Sequence, residues 1–391
     1  MNLVNQLTRF RVLVTSFTAV ICMMLSLQVV AKDAIKIGIV LGKHKGSSSA
    51  SSLEKECVID SIAQGESTYF RGNKKVEFIF ATNERTAIGS ANAAKHLVED
   101  GASFVLLPLL SHEASVSAQV LAKAGIPYIT SATAKDVIRD SYEGVSIMPS
   151  NAHQASVLSD FYWQNYRNAP LYILANRARA YSEELAQLFT KQITLKDSQF
   201  HYERVAFSTP KLQELVKTLP DGTVLFAPLY NPNIALLYKA LSQESQRANK
   251  NFTIIGPDSI GGRKEFFDIV GDEIHNDKTK LFFIRNWDYV LKSDADKDLL
   301  AIVKSFCNKQ SATFLNTYSY DMMRFAVKVA ERKLSEPYEQ SFFDLIKTTP
   351  YRTVMDGAPL IFDENGYNLK PLYLYKATEK GIELYQTLGM K

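Results

Sequence analysis

Ser111 stands where the apolar run of Phe104 to Leu110 gives way to Ser, His and Glu (FVLLPLLSHEAS). A hydroxyl between a strand and a helix can cap the helix, act as a nucleophile, or donate to a small anion at the helix's positive end. A hydrolytic serine belongs in a G-x-S-x-G turn, and the residues around Ser111 are Leu109, Leu110, His112 and Glu113. His112, as the next residue, cannot readily turn back onto its neighbour's hydroxyl as a base. The helix-cap reading therefore leads, and it is compatible with a ligand carboxylate sharing the cap's remaining amides.

Three further stretches repeat this placement. Thr130 to Thr133 (TSAT) follows the strand-like IPYIT with hydroxyls and small side chains, either a capping loop or a place where backbone approaches a ligand. Asp258, in GPDSIGG, either starts a turn or offers a carboxylate to a ligand's ammonium. Tyr181 and Tyr230 follow strands in the second half, as rim packing or as ligand walls. Hydroxyl donors from one half and an acid with aromatics from the other would suit an amino acid held between them.

Other chemistry is poorly supported. GIVLGKHKGS has three residues between Gly38 and Gly42 where a phosphate loop needs four, and His44 follows Lys43 in place of Ser or Thr. No G-x-G-x-x-G follows the first strand. The six histidines are scattered and neither Cys57 nor Cys307 has metal-ligand companions, so no metal or cofactor is expected. A formal charge of +4 over 391 residues gives no reason to expect a nucleic-acid partner.

The elements that must position these residues alternate. IKIGIVL (35–41), VEFIF (76–80), FVLLPL and IPYIT read as strands, with helical patterns in SANAAKHLVEDG and SVSAQVLAKAG between them. A second set follows: PLYILA (170–175), GTVLFAPL (222–229), FTIIGP (252–257) and LFFI (281–284), again separated by helices. Asn365-Gly366 is a hairpin signal between two strand-like runs, and GSSSASS (46–52) reads as a loop. The expected fold is α/β, with two doubly wound parallel-sheet lobes. Ligands in such sheets bind beyond the carboxyl ends of the strands.

Residues 1–31 differ from the rest: Arg9 and Arg11 precede an uncharged apolar run from Val12 to Val30. This has the form of a secretory signal peptide cleaved after Ala31, with a retained anchor as the rival. Export permits a Cys57–Cys307 disulfide but does not establish one.

In their order, these stretches resemble the type I periplasmic substrate-binding proteins of ABC importers, the leucine/isoleucine/valine-binding class. AAKHLVEDGASFVLLPLLSHEA, AKAGIPYITSATA, MPSNAHQASVLSDF, ANRARAYSEELAQLF, GPDSIGG, YSYDMMRFAVKVAERKL and GAPLIFDENGYNLKPLYLYK carry the likeness, which spans residues 34–391. The resemblance implies two lobes joined by three crossover segments, lobe 1 comprising 32–149 plus 284–356 and lobe 2 150–283 plus 357–391, in a periplasmic, monomeric protein that captures a small ligand, foremost a branched-chain amino acid, by hinge closure and delivers it to a membrane permease. Carried over by position, Ser111 would take the ligand carboxylate, Ala132 a backbone carbonyl's share of the ammonium, and Thr133 a hydroxyl and amide contact. Asp258 would meet the ammonium where the family usually has Glu, Tyr230 would follow the second-lobe strand, and Tyr181 would stack on the side chain. Basic NRARAY departs from the family's acidic stretch; Arg177 and Arg179 would be solvated or favour an anionic ligand. A sensor or envelope-assembly regulator on the same fold is the alternative, and an exported serine hydrolase a more distant one.

Overall fold

The computed structural model describes residues 34–43, 50–66, 75–140, 142–260, 264–286, 294–335 and 340–389. Residues 1–31, read above as a signal peptide, residues 46–49 of GSSSASS and the last two residues of GPDSIGG lie outside them.

Strands β1 (Ala34–Leu41), β2 (Lys75–Thr82), β3 (Phe104–Leu107), β4 (Tyr128–Thr130) and β5 (Gly144–Ser146) form a parallel sheet in the order β2-β1-β3-β4-β5. Between them run helices α1 (Ala50–Glu66), α2 (Ala87–Glu99) and α3 (Ser111–Lys123). The chain then enters α4 (Asn151–Tyr166) and builds a second sheet from β6 (Leu171–Ala175), β7 (Glu203–Ala206), β8 (Thr223–Phe226), β9 (Phe252–Gly256) and β10 (Thr279–Arg285). Its helices are α5 (Ala180–Lys196), α6 (Leu212–Thr218), α7 (Asn233–Ala248) and α8 (Lys264–Val270). Helices α9 (Asp294–Ser305), α10 (Phe314–Ser335) and α11 (Phe342–Thr348) follow, and β11 (Leu372–Thr378) and β12 (Gly381–Leu388) finish the second sheet in antiparallel fashion. Its order is β12-β11-β10-β9-β8-β6-β7.

The strands form because their apolar residues have both faces to fill. All residues of β3 and β8 are buried, the pattern of a parallel sheet covered by helices on each side. One face of the first sheet packs Ile37, Ile39 and Phe104 against α1 and against Leu299, Phe325 and Ile346 of the returning helices. The other face packs Val105 and Leu107 against α2 and α3. Residues 299–360 thus belong to the first core although they follow the second sheet's β10. Local signals set the helix starts: Thr86 and Ser150 accept the amides of Gly89 (2.9 Å) and His153 (3.1 Å), each cap contributing about 1 kcal/mol.

Two readings from sequence change. GSSSASS is not wholly loop, because helix α1 already begins at Ala50. Asn365-Gly366 does not turn a two-stranded hairpin. The Asp363 carboxylate collects the amides of Asn365 (2.9 Å) and Tyr367 (2.8 Å), leaving a tight turn with one antiparallel bridge, Phe362 to Asn368. Gly366 takes φ +83, and its carbonyl accepts Ser146 N–H of the first sheet at 2.8 Å. The residues beyond the turn pair with β5, at Ser146 to Tyr367, as well as with the short arm before them. The long hairpin lies later, between β11 and β12, turning at Thr378 to Gly381.

Cys57 of α1 and Cys307, just after α9, form a disulfide across 250 residues with Cα atoms 5.3 Å apart. The alternative of two free thiols is thereby excluded.

Candidate functional site

Both sheets share one topology, β2-β1-β3-β4-β5 and β7-β6-β8-β9-β10. In each, the crossovers after the first strand leave in opposite directions, so loops diverge beyond β1 and β3 and beyond β6 and β8. Such a divergence leaves a crevice at the carboxyl ends. Here the two crevices merge into one cleft of about 810 Å³, lined from the first unit by Lys55, Ser111 and Thr133 and from the second by Arg179, Tyr230 and Asp258. All six residues singled out from sequence, Ser111, Ala132, Thr133, Tyr181, Tyr230 and Asp258, line it.

Ser111 is not the cap of its helix. Leu110, with extended backbone (φ −69, ψ 151), holds the cap position, and the Glu113 carboxylate reaches back to accept Leu110 N–H at 3.4 Å. The serine is instead the first helical residue, so the helix does not consume its hydroxyl. That hydroxyl has no partner among the described residues, and the residue is only 6% exposed. The first helical amides also lack intrahelical acceptors, so this end of α3 offers donors to the cleft.

Glu113 is buried and paired with Arg85 at 3.2 Å. Arg85 is held by a further hydrogen bond to Ser52 (3.2 Å), and Lys55 Nζ donates to the Pro108 carbonyl at 2.9 Å. Farther along the wall, Ser146 donates its hydroxyl to the Ala132 carbonyl at 2.8 Å. That carbonyl therefore has one lone pair left for a ligand. The Thr133 hydroxyl, like that of Ser111, has no partner among the described residues, and the residue is 5% exposed.

On the facing wall Tyr181 donates its phenolic O–H to Asp258 Oδ1, while Asn286 Nδ2 donates to Oδ2 at 2.6 Å. The Asp258 amide is tied to Gln154 Oε1 at 3.3 Å. Burial pushes the Asp258 carboxyl above the usual range, and these donors oppose the shift. Burial beside Asp258 raises the Tyr181 phenol well above its ordinary value, so it remains a donor. The rings of Tyr181 and Tyr230 lie 5.0 Å apart at 31°, a tilted aromatic wall.

The units also touch across the cleft. Arg179 approaches His112 Nε2 at 3.5 Å, and Glu184 of α5 accepts Lys135 N–H at 3.1 Å. Burial lowers the pKa of His112, and the nearby Arg179 and Arg85 guanidiniums lower it further against the opposing pull of Glu113. No base is hydrogen-bonded to Ser111 among the described residues. No group of three metal-ligating side chains occurs among the described residues.

Sequence reasoning missed Lys55, the Arg85–Glu113 pair and Asn286. Lys55 carried a signal, because it shares a helical face with the buried Val58, Ile59 and Ile62. Asn286 follows β10 directly, the carboxyl-end position that singled out Ser111 and Asp258. The Arg85–Glu113 pair had no comparable signal.

Two crevices thus face each other, with donors on one wall and an acid on the other. A family model described as periplasmic binding protein matches residues 35–381, and the chain belongs to that family in its type I form. Solved structures show the same fold. A leucine-binding protein from Thermotoga maritima matches with a TM-score of 0.74 at 17% identity, covering 90% of this chain and 98% of that one. A branched-chain amino acid transporter substrate-binding protein from Streptococcus pneumoniae, in complex with isoleucine, gives 0.68 at 18%, with coverages of 90% and 99%. A Rhodopseudomonas palustris ABC-transporter solute-binding protein in complex with 4-hydroxybenzoate gives 0.71 at 15%, with coverages of 91% and 97%. No curated protein sequence matches.

Proposed function

We propose that this chain is an exported, periplasmic solute-binding protein of an ABC importer, capturing an amino acid between the two lobes built on its two sheets. Closure would bury the ligand and present it to a membrane permease. The observation that carries this reading is the opposition of Ser111 and Thr133 hydroxyls to Asp258 across one cleft. The hydroxyls and the amides at the start of α3 suit a carboxylate, Asp258 suits an ammonium, and Tyr181 with Tyr230 suits an apolar side chain. Among the described residues no helix is long and apolar enough to cross a membrane.

A thermal-shift screen tests the ligand class, since a ligand selective for the folded state stabilises it by mass action. Free amino acids, branched-chain ones foremost, should raise the melting temperature of the mature protein. A second reading, an aromatic carboxylate without an amine, is favoured by Asp258 already holding Tyr181 and Asn286. It wins if hydroxybenzoates shift the protein and no amino acid does.

A further inference from the structure

Arg179 occupies the cap position of α5, makes no capping bond through its side chain, and lines the cleft. It forms no ion pair among the described residues, and its polar neighbour is His112 Nε2 at 3.5 Å. His112 is the second residue of α3, so the N-termini of α3 and α5 face each other across the cleft with a guanidinium between them. Each helix start carries partial positive charge. The other basic side chains here have protein acceptors: Glu113 for Arg85 and the Pro108 carbonyl for Lys55. Ser111, the residue before His112, lines the same cleft and is 6% exposed, and its hydroxyl is unpartnered among the described residues. Positive groups brought together this way, beside a free buried donor, call for an anion.

We propose that Arg179 is the second unit's half of an anion clamp: the ligand carboxylate bridges the cleft, taking Ser111 and the first α3 amides on one side and the Arg179 guanidinium on the other. This rests on the reading of the cleft as a site for a small acid and adds a specificity-determining residue to it. The carboxylate then ties the two units together, because it is held from both sides. A guanidinium fork matches a carboxylate in two hydrogen bonds, which a neutral amide cannot reproduce. Acids should bind in preference to their amides, and added salt should weaken the exposed half of the clamp.

The test is calorimetric titration with L-leucine, L-isoleucine and 4-hydroxybenzoate, beside L-leucinamide and 4-hydroxybenzamide. The proteins are the mature wild type, Arg179→Gln, Arg179→Lys, and Arg177→Gln as an exposed control. At least one acid should bind the wild type and its amide should not. Arg179→Gln should weaken that acid about tenfold, Arg179→Lys should recover part of the loss, and Arg177→Gln should match the wild type. Equal acid affinity in wild type and Arg179→Gln overturns the clamp while leaving the small-acid reading intact. Amides that bind as tightly as acids, or a panel in which nothing binds, overturn both.

Discussion

Tyr181 gives its phenolic O–H to Asp258, and the contact joins the first turn of α5 to the loop after β9 inside the cleft. The carboxylate also receives Asn286 from the end of β10, so three elements of the second sheet converge on one acid. Burial raises this carboxyl and the two donors pull it back. Only the ionised form can answer an ammonium.

Asp258→Asn should therefore weaken an amino-acid ligand by about 2–4 kcal/mol, since a sheltered ammonium loses its countercharge. A hydroxybenzoate should be spared. Titration of both ligands against the variant checks this, and unchanged amino-acid affinity would leave Asp258 as a turn residue alone.

Tyr181→Phe removes one of the opposing donors, and burial then raises the Asp258 carboxyl further. Ionisation is favoured above the folded pKa and lost below it. The acid limb of amino-acid affinity should therefore move to higher pH in the variant. Dissociation constants measured from pH 5 to 8 would show the shift, and superimposable profiles would refute it.

How far the sequence revealed this arrangement depended on burial and range. FVLL and TVLF were legible as strands because covering both faces leaves an uninterrupted apolar run. Strand β7 was not, since Glu203, Arg204 and Ala206 are exposed on an edge strand and their polarity hides the pattern. Ser111, Thr133 and Asp258 were legible because one rule about strand ends locates all three. The Arg85–Glu113 pair was invisible, because the tertiary fold alone brings together groups 28 residues apart. The helix-cap role assigned to Ser111 failed by one position, where the Glu113 carboxylate took over the Leu110 amide.

The Cys57–Cys307 bridge ties α1 to the end of α9, with Asn316 Nδ2 3.8 Å from both sulfurs and 2.6 Å from the Glu54 carbonyl. Closing a loop of this length restricts the unfolded chain strongly. The double variant Cys57→Ser, Cys307→Ser should lose about 2–5 kcal/mol. Urea unfolding with and without reductant measures it, and reductant should affect only the wild type.

Asp321 of α10 is buried and accepts Val354 N–H (2.8 Å), Met355 N–H (3.0 Å) and the Tyr351 O–H (2.8 Å). Burial nonetheless carries its carboxyl up to about 7 from 3.8. The folded state thus holds a proton that the unfolded state releases, and this stabilisation is complete below about pH 4 and lost as pH rises through about 7. Stability should decline over that window, and Asp321→Asn should flatten the decline. Denaturation midpoints at pH 5 and pH 8 decide the matter; equal pH slopes in both proteins would reject it.

Lys370 and Asp356 form an ion pair at 2.7 Å with each side chain 1% exposed, between the last crossing into the second sheet and the loop before it. Burial lowers the Lys370 pKa and the Asp356 carboxylate opposes that shift. Asp356 also accepts the Thr353 hydroxyl (2.7 Å) and the Ala358 amide (3.1 Å). Lys370→Met should therefore cost about 3–5 kcal/mol, chiefly from the carboxylate left buried without a countercharge. Lys370→Met combined with Asp356→Leu removes both charges and should cost clearly less than the two single losses added together. A double-mutant cycle from urea unfolding reads that coupling. Additive losses would mean that the pair contributes packing alone and that the third crossing is held by the Ser146 to Tyr367 pairing instead.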